Sequence, residues 1–162
     1  MPDDVPEGSA RSSATAERIG GLAADRGLTV ACAESLTSGA LAARLGAAPG
    51  SAEWFRGGVV AYSRDVKHSL LRVPEGPVVC ESAARAMAES TVDLLGADVA
   101  VAVTGAGGPD SQDGQEPGTV WFGVAGRGPT HAEEKFFPGE PEEVLAETVF
   151  RALTLLAERV GR

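Results

Sequence analysis

The 162-residue chain carries 23 acidic residues against 14 basic ones, a formal net charge of -9, which argues against a broad nucleic-acid-binding surface. Its length fits one domain with its own core, and 43% hydrophobic with 23% charged residues is an ordinary soluble composition. Cys32 and Cys80 form no CxxC pair, two histidines are too few for a metal centre, and no apolar run reaches membrane-spanning length.

In chain order, residues 1–13 read as a flexible N-terminal tail rich in Pro, Asp, Glu, Gly and Ser. Asp3, Asp4 and Glu7 stand where a signal peptide would carry basic residues, so a cytoplasmic location is expected. Residues 14–162 are expected to form a single domain. Ile19, Leu22 and Ala23 give Ala14–Arg26 a helical apolar stripe that Gly27 ends. "LTVACAE" is a short buried strand. Thr37 to Leu45 carries Ala40, Leu41 and Leu45 at helical spacing and stops before the Pro49-Gly50 turn.

"EWFRGGVVAYS" is the next strand. "RDVKHSLL" is a short helix with Val66, Leu70 and Ser69 inward and Lys67 directed elsewhere. After a turn at 72–77, Glu81–Leu95 is a helix packing through Ala84, Met87, Ala88, Thr91 and Leu95. "ADVAVAVTG" is a buried strand followed by a glycine- and aspartate-rich loop to Gly118. "TVWFGVAG" and "THAEEKFFPG" are two further strands. The last helix runs from Pro141 to Glu158, with proline in its first turn. Three successive strands argue against a purely parallel sheet. The order predicts an α/β fold, a three-layer α/β/α sandwich around a mixed sheet.

Three motifs carry candidate chemistry. Ser35 lies where a strand turns into a helix, a bend that exposes a hydroxyl near helix amides able to receive negative charge. Turn chemistry is the other reading, with Thr37 and Ser38 capping the helix. Tyr62 and Lys67 lie five apart across a strand-to-helix junction. A lysine whose charge is disfavoured by burial or by another cation can serve a serine as general base, and a tyrosine can relay a proton. An edge tyrosine and a solvated lysine are the plain alternative.

Thr104 ends an apolar strand, and Gly105, Gly107 and Gly108 let backbone amides form an anion-accepting nest, with Asp110 placed to orient a ligand group. A tight surface connection is the competing reading, and neither a P-loop nor GxGxxG occurs. All three motifs end predicted strands, where open α/β sheets bind ligands. Ser35, Tyr62, Lys67 and Thr104 therefore converge if the strands are neighbours. His68 and His131 are read as surface or supporting residues, and Trp54 and Phe55 as packing or subunit contacts.

Taken together, "ACAESLTSG", "GSAEWFRGGVVAYSRDVKHSLL", "VTGAGGPD" and "PGTVWFGVA" make the chain from about residue 15 resemble the CinA C-terminal domain family, the nicotinamide-nucleotide amidases among competence/damage-inducible proteins. The resemblance implies cytoplasmic hydrolysis of nicotinamide mononucleotide to nicotinate mononucleotide and ammonia. It further implies a metal-independent serine mechanism without a cofactor, in a homo-oligomer. It places the nucleophile on Ser35, the supporting pair on Tyr62 and Lys67, and Thr104, Gly105, Gly107 and Gly108 in the substrate pocket, with Thr37 beside them.

The chain departs from the family pattern at Leu36 and Ser38, where cysteine and glycine are usual, and at Pro141 and Leu145, where arginines are usual. Ser38 is either harmless in the turn or narrows the pocket. Losing the two arginines removes forked donors suited to phosphate. Two alternatives therefore stand beside the amidase: a non-catalytic nucleotide-binding or scaffold domain, and an amidase for a different small carboxamide.

Overall fold

The structure is a computed structural model that describes residues 7–162. A mixed sheet is built from β1 (Val30–Glu34), β2 (Phe55–Val60), β3 (Val99–Gly105), β4 (Thr119–Ala125) and β5 (His131–Phe136), in the order β2-β1-β3-β4-β5. β1 pairs in parallel with both β2 and β3, while β4 is antiparallel to β3 and to β5. β1 and β3 are buried along their whole length, so each reads as a continuous apolar run.

The two faces of the sheet differ in side-chain size. Val30, Cys32, Val99, Val101, Val103 and Phe122 point to one side, against α1 (Glu7–Arg26), α2 (Ala40–Gly46) and α6 (Pro141–Val160). Ala31, Ala33, Ala100 and Ala102 point to the other, where α5 (Glu81–Leu95) lies across the strands. The small residues let α5 sit close. A Cβ added at Gly123 would lie 2.2 Å from the Ala84 carbonyl oxygen. Helices on both faces make the expected α/β layered architecture around a mixed sheet.

Several boundaries differ from expectation. α1 begins at Glu7, so residues 7–13 are helical, while residues 1–6 of the expected tail lie outside the described residues. The extra turns dock through long-range partners: Arg11 pairs with Glu147 and stacks over the Phe150 ring, and Arg44 donates to Ser9 and Ser13. A separate short helix α3 (Ser51–Trp54) precedes β2, and it buries Trp54 against Gly20. In α4 (Arg64–Leu70) the inward face is rotated from the expected one. Lys67 is buried while Leu70 is 44% exposed.

Candidate active site

The parallel arrangement of β1, β2 and β3 sets their C-terminal ends side by side. Glu34 at the end of β1 pairs with Val60, and its carbonyl accepts the Ala61 N–H at 2.8 Å. This extension of the ladder sets Ser35 beside the segment that leads to Tyr62. On the other side, β3 ends at Thr104 and Gly105.

Ser35 opens a tight loop closed by two turns, Ser38 N–H to the Ser35 carbonyl and Ala40 N–H to the Thr37 carbonyl. Ser38 (φ 51°) and Gly39 (φ 104°) both adopt the left-handed conformation, which glycine accepts freely and serine does not. α2 has no capping hydroxyl. Instead the buried Glu34 carboxylate reaches over the loop and accepts the N–H groups of Leu41 (2.8 Å) and Ala42 (3.0 Å). Glu34 thus takes the capping role expected of Thr37 and Ser38, and it fixes the loop that carries Ser35. Thr37 is buried, and its hydroxyl has no hydrogen-bond partner among the described residues.

Ser35, Leu36, Tyr62, Gly105, Gly107 and Gly108 line a cleft of about 420 Å³, together with Asp110, Ser111, Gln112, Pro141 and Leu145. Gly107 faces Leu36, where an added Cβ would come within 3.4 Å. Tyr62 is 70% exposed at the mouth. Ser38 is exposed, hydrogen-bonds back to the Leu36 carbonyl at 3.4 Å, and does not line the cleft.

Lys67 does not line the cleft either. It is 1% exposed, and its ammonium donates to the Tyr62 carbonyl at 3.0 Å, which ties α4 to the end of β2. Among the described residues no hydrogen bond joins Lys67 to Ser35. An ammonium has three donors, and this bond uses one. Burial, followed by the nearby Arg64 cation, lowers the Lys67 pKa to about 8 against the opposing pull of Asp113.

Thr104 is fully buried and gives its proton to the Val78 carbonyl at 2.6 Å, so it anchors the 77–80 segment and does not reach the cleft wall. Asp113 grips the same segment by accepting the N–H groups of Val78 (2.8 Å) and Val79 (3.0 Å), and it pairs with Arg64. Burial pushes the Asp113 carboxyl up, but Arg64 and the two amides outweigh it and hold the carboxyl below its ordinary value. The Arg64–Asp113 pair therefore clamps the glycine-rich loop to α4. Nothing local in the sequence signals this pair, because its members lie on separate elements. The His68 Nδ1 lies 2.9 Å from the Val73 carbonyl, bracing the turn after α4.

Both cysteines are free, and burial with the adjacent Glu34 pushes the Cys32 thiol far up. Among the described residues no group of three or more His, Cys, Asp or Glu side chains is arranged to hold a metal ion. No described helix is long and apolar enough to cross a membrane. The arrangement offers a hydroxyl on a constrained bend, a buried amine of lowered pKa, a phenol at the cleft mouth and glycine-loop amides.

Comparison with known proteins places this architecture. The family model described as the CinA C-terminal domain matches residues 12–160. A competence-damage inducible protein of Symbiobacterium thermophilum is 40% identical over 86% of this chain and 36% of its own length. A Desulforudis audaxviator relative is 37% identical over 100% of this chain and 38% of its own. The chain thus spans little more than a third of these curated relatives. The crystal structure of a CinA superfamily protein from Klebsiella pneumoniae 700603 superposes with a TM-score of 0.87 at 33% identity, covering 92% of this chain and 97% of that one. The Escherichia coli superfamily protein gives 0.83 at 34% identity, covering 98% and 94%.

Proposed function

The chain belongs to the CinA C-terminal domain family, and from that premise we propose that it is an amidase that hydrolyses the carboxamide of nicotinamide mononucleotide to nicotinate mononucleotide and ammonia. Family and fold support a general hydrolase or amidase-like role. The observation that carries the finer reading is the buried Lys67, with its pKa lowered to about 8, held by the Tyr62 carbonyl at the strand end beside Ser35.

In this reading neutral Lys67 takes the Ser35 proton as the hydroxyl oxygen attacks the carboxamide carbon. The tetrahedral oxyanion is received by amides of the Ser35 loop or the glycine-rich loop. The carbon–nitrogen bond breaks as a proton passes to the nitrogen, with the Tyr62 phenol assisting, and ammonia leaves. Water then attacks the acyl–serine ester with Lys67 again accepting a proton, which releases the carboxylate and restores Ser35. Thr104 acts by holding the 77–80 segment, and Gly105, Gly107 and Gly108 shape the wall against the substrate. Thr37 supplies an unsatisfied hydroxyl next to the nucleophile's loop. Cytoplasmic action without a cofactor, by a homo-oligomer, belongs to the same proposal.

The test is ammonia release from nicotinamide mononucleotide by the wild type and by Ser35→Ala. The variant is expected to lose at least about 10³-fold in kcat. Equal rates in the two proteins would discard the serine mechanism. A different small carboxamide is the second reading, favoured by the absence of any lysine, arginine or histidine among the lining residues.

A further inference from the structure

Building on the amidase reading, we infer that the Ser35 cleft recognises a phosphate-free pyridinium carboxamide, a cationic nucleoside, at least as well as the corresponding phosphate monoester. A phosphate needs positive charge or free N–H donors. The cleft lining holds no cation and one carboxylate, Asp110. At the α6 side the wall is Pro141 and Leu145, one without an N–H and the other without a polar side chain.

Several nearby donors already have partners. The first turn of α2 gives the N–H groups of Leu41 and Ala42 to Glu34. The start of α6 closes on itself in a capping box, with Glu140 and Glu143 each accepting the other's backbone N–H, and Glu142 adds a third carboxylate there. Val78 N–H, Val79 N–H and Arg64 are committed to Asp113. Lys67 is buried outside the cleft lining, with its amine turned to the Tyr62 carbonyl. A phosphate dianion would therefore meet the Asp110 carboxylate with no cation in the wall, its donors being loop amides and the neutral side chains of Ser35, Tyr62, Ser111 and Gln112. A quaternary pyridinium ring meets the reverse situation, because its positive charge complements Asp110.

The experiment compares kcat/KM for nicotinamide riboside and nicotinamide mononucleotide, with wild type and Asp110→Asn, at low and high salt. The riboside is expected to equal or exceed the mononucleotide. Asp110→Asn is expected to lower the riboside value about threefold to tenfold while leaving the mononucleotide value level or raised, and salt should shrink the difference. Any mononucleotide preference beyond experimental error would overturn the inference, as would an Asp110→Asn protein with the wild-type ratio. Absence of turnover with both compounds counts against the amidase reading alone. Calorimetric binding of the same two compounds to the wild type and Asp110→Asn then decides the charge preference: riboside binding equal to or tighter than that of the mononucleotide, and weakened in the variant, upholds it, and any other pattern overturns it.

Discussion

Opposite ends of the sheet hold two clefts of similar size and contrary composition. Where β4 runs into β5, a cavity of about 520 Å³ is walled by Arg85, Arg127, Arg159 and Arg162 among others. Two of its arginines, the buried Arg159 and the half-exposed Arg85, are engaged by the chain itself. Arg159 donates to the carbonyls of Gly126 (2.7 Å) and Pro129 (2.8 Å), and Arg85 to the carbonyl of Thr130 (2.6 Å) and to Glu81. These bonds staple the β4–β5 hairpin to α6 and α5. At the other end the cleft of about 420 Å³ has no cation in its wall, yet polar groups on the segments that carry its lining residues are left uncommitted. The Thr37 hydroxyl is unpartnered, and the Lys67 ammonium bonds to a single carbonyl. Charge density alone would point to the arginine-rich end. Under the proposed function, uncommitted hydrogen-bonding capacity and an amine of lowered pKa distinguish the end assigned to chemistry from the end assigned to cohesion.

The strongest way to break this contrast is Lys67→Met, which keeps an unbranched chain of similar bulk and removes the amine. It is expected to lower kcat by about 10²–10⁴-fold with the fold retained by circular dichroism. Near-wild-type turnover would show that Lys67 is only a buried strut. The wild-type pH profile sharpens the same point. A base must be neutral, so kcat/KM should fall about tenfold per pH unit below about 8 and level off above it. Stability moves in the same direction. The unfolded lysine keeps its proton up to its ordinary value of 10.5, so the folded state gains stability as pH rises from about 8 towards 10.5. Lys67→Met should abolish that part of the pH dependence.

At the arginine-rich end the expected effect is smaller and of another kind. Arg159→Ala removes two charged hydrogen bonds and leaves the carbonyls of Gly126 and Pro129 without this donor. The expected cost is about 2 kcal/mol, or roughly 4–8 °C in Tm, with kcat/KM unchanged per folded molecule. A drop in kcat/KM without a drop in Tm would collapse the distinction between the two clefts.

The layered α/β fold was legible because β1, β3 and α5 carry their burial in local patterns: unbroken apolar runs in the two strands and a helical stripe through Ala84, Met87 and Ala88. Ser35, Tyr62 and the glycine loop were legible as strand-end residues, since topology alone brings such ends together. What escaped depends on distant partners. Periodicity in α4 sends Leu70 inward, but the bond from Lys67 to the Tyr62 carbonyl turns the lysine in and leaves Leu70 out. Residues 7–13 have a tail-like composition, and their helix is held by Glu147 and Phe150 at the far end of the chain. The capping of α2 by Glu34 was hidden because an acid at a strand end suggests solvent, whereas this one is fully buried over two amides.

Ser38 gives the finest test of the site's construction. Its left-handed backbone costs a serine about 1–2 kcal/mol through its Cβ, and glycine loses about 0.5–1 kcal/mol in chain entropy against that relief. Ser38→Gly is therefore expected to raise stability by roughly 0.5–1 kcal/mol, read as a small increase in the denaturant midpoint. The side chain is exposed and bonds only to the Leu36 carbonyl, at the long distance of 3.4 Å, so little is lost with it. Because the hydroxymethyl group does not line the cleft, kcat and KM for any carboxamide should stay within about twofold of wild type. A large gain in kcat/KM for the phosphate monoester would mean that Ser38 obstructs the substrate, and that the loop conformation moves when substrate binds. An unchanged KM assigns the departure at this position to backbone strain, and leaves the phosphate question to the walls formed by Asp110, Pro141 and Leu145.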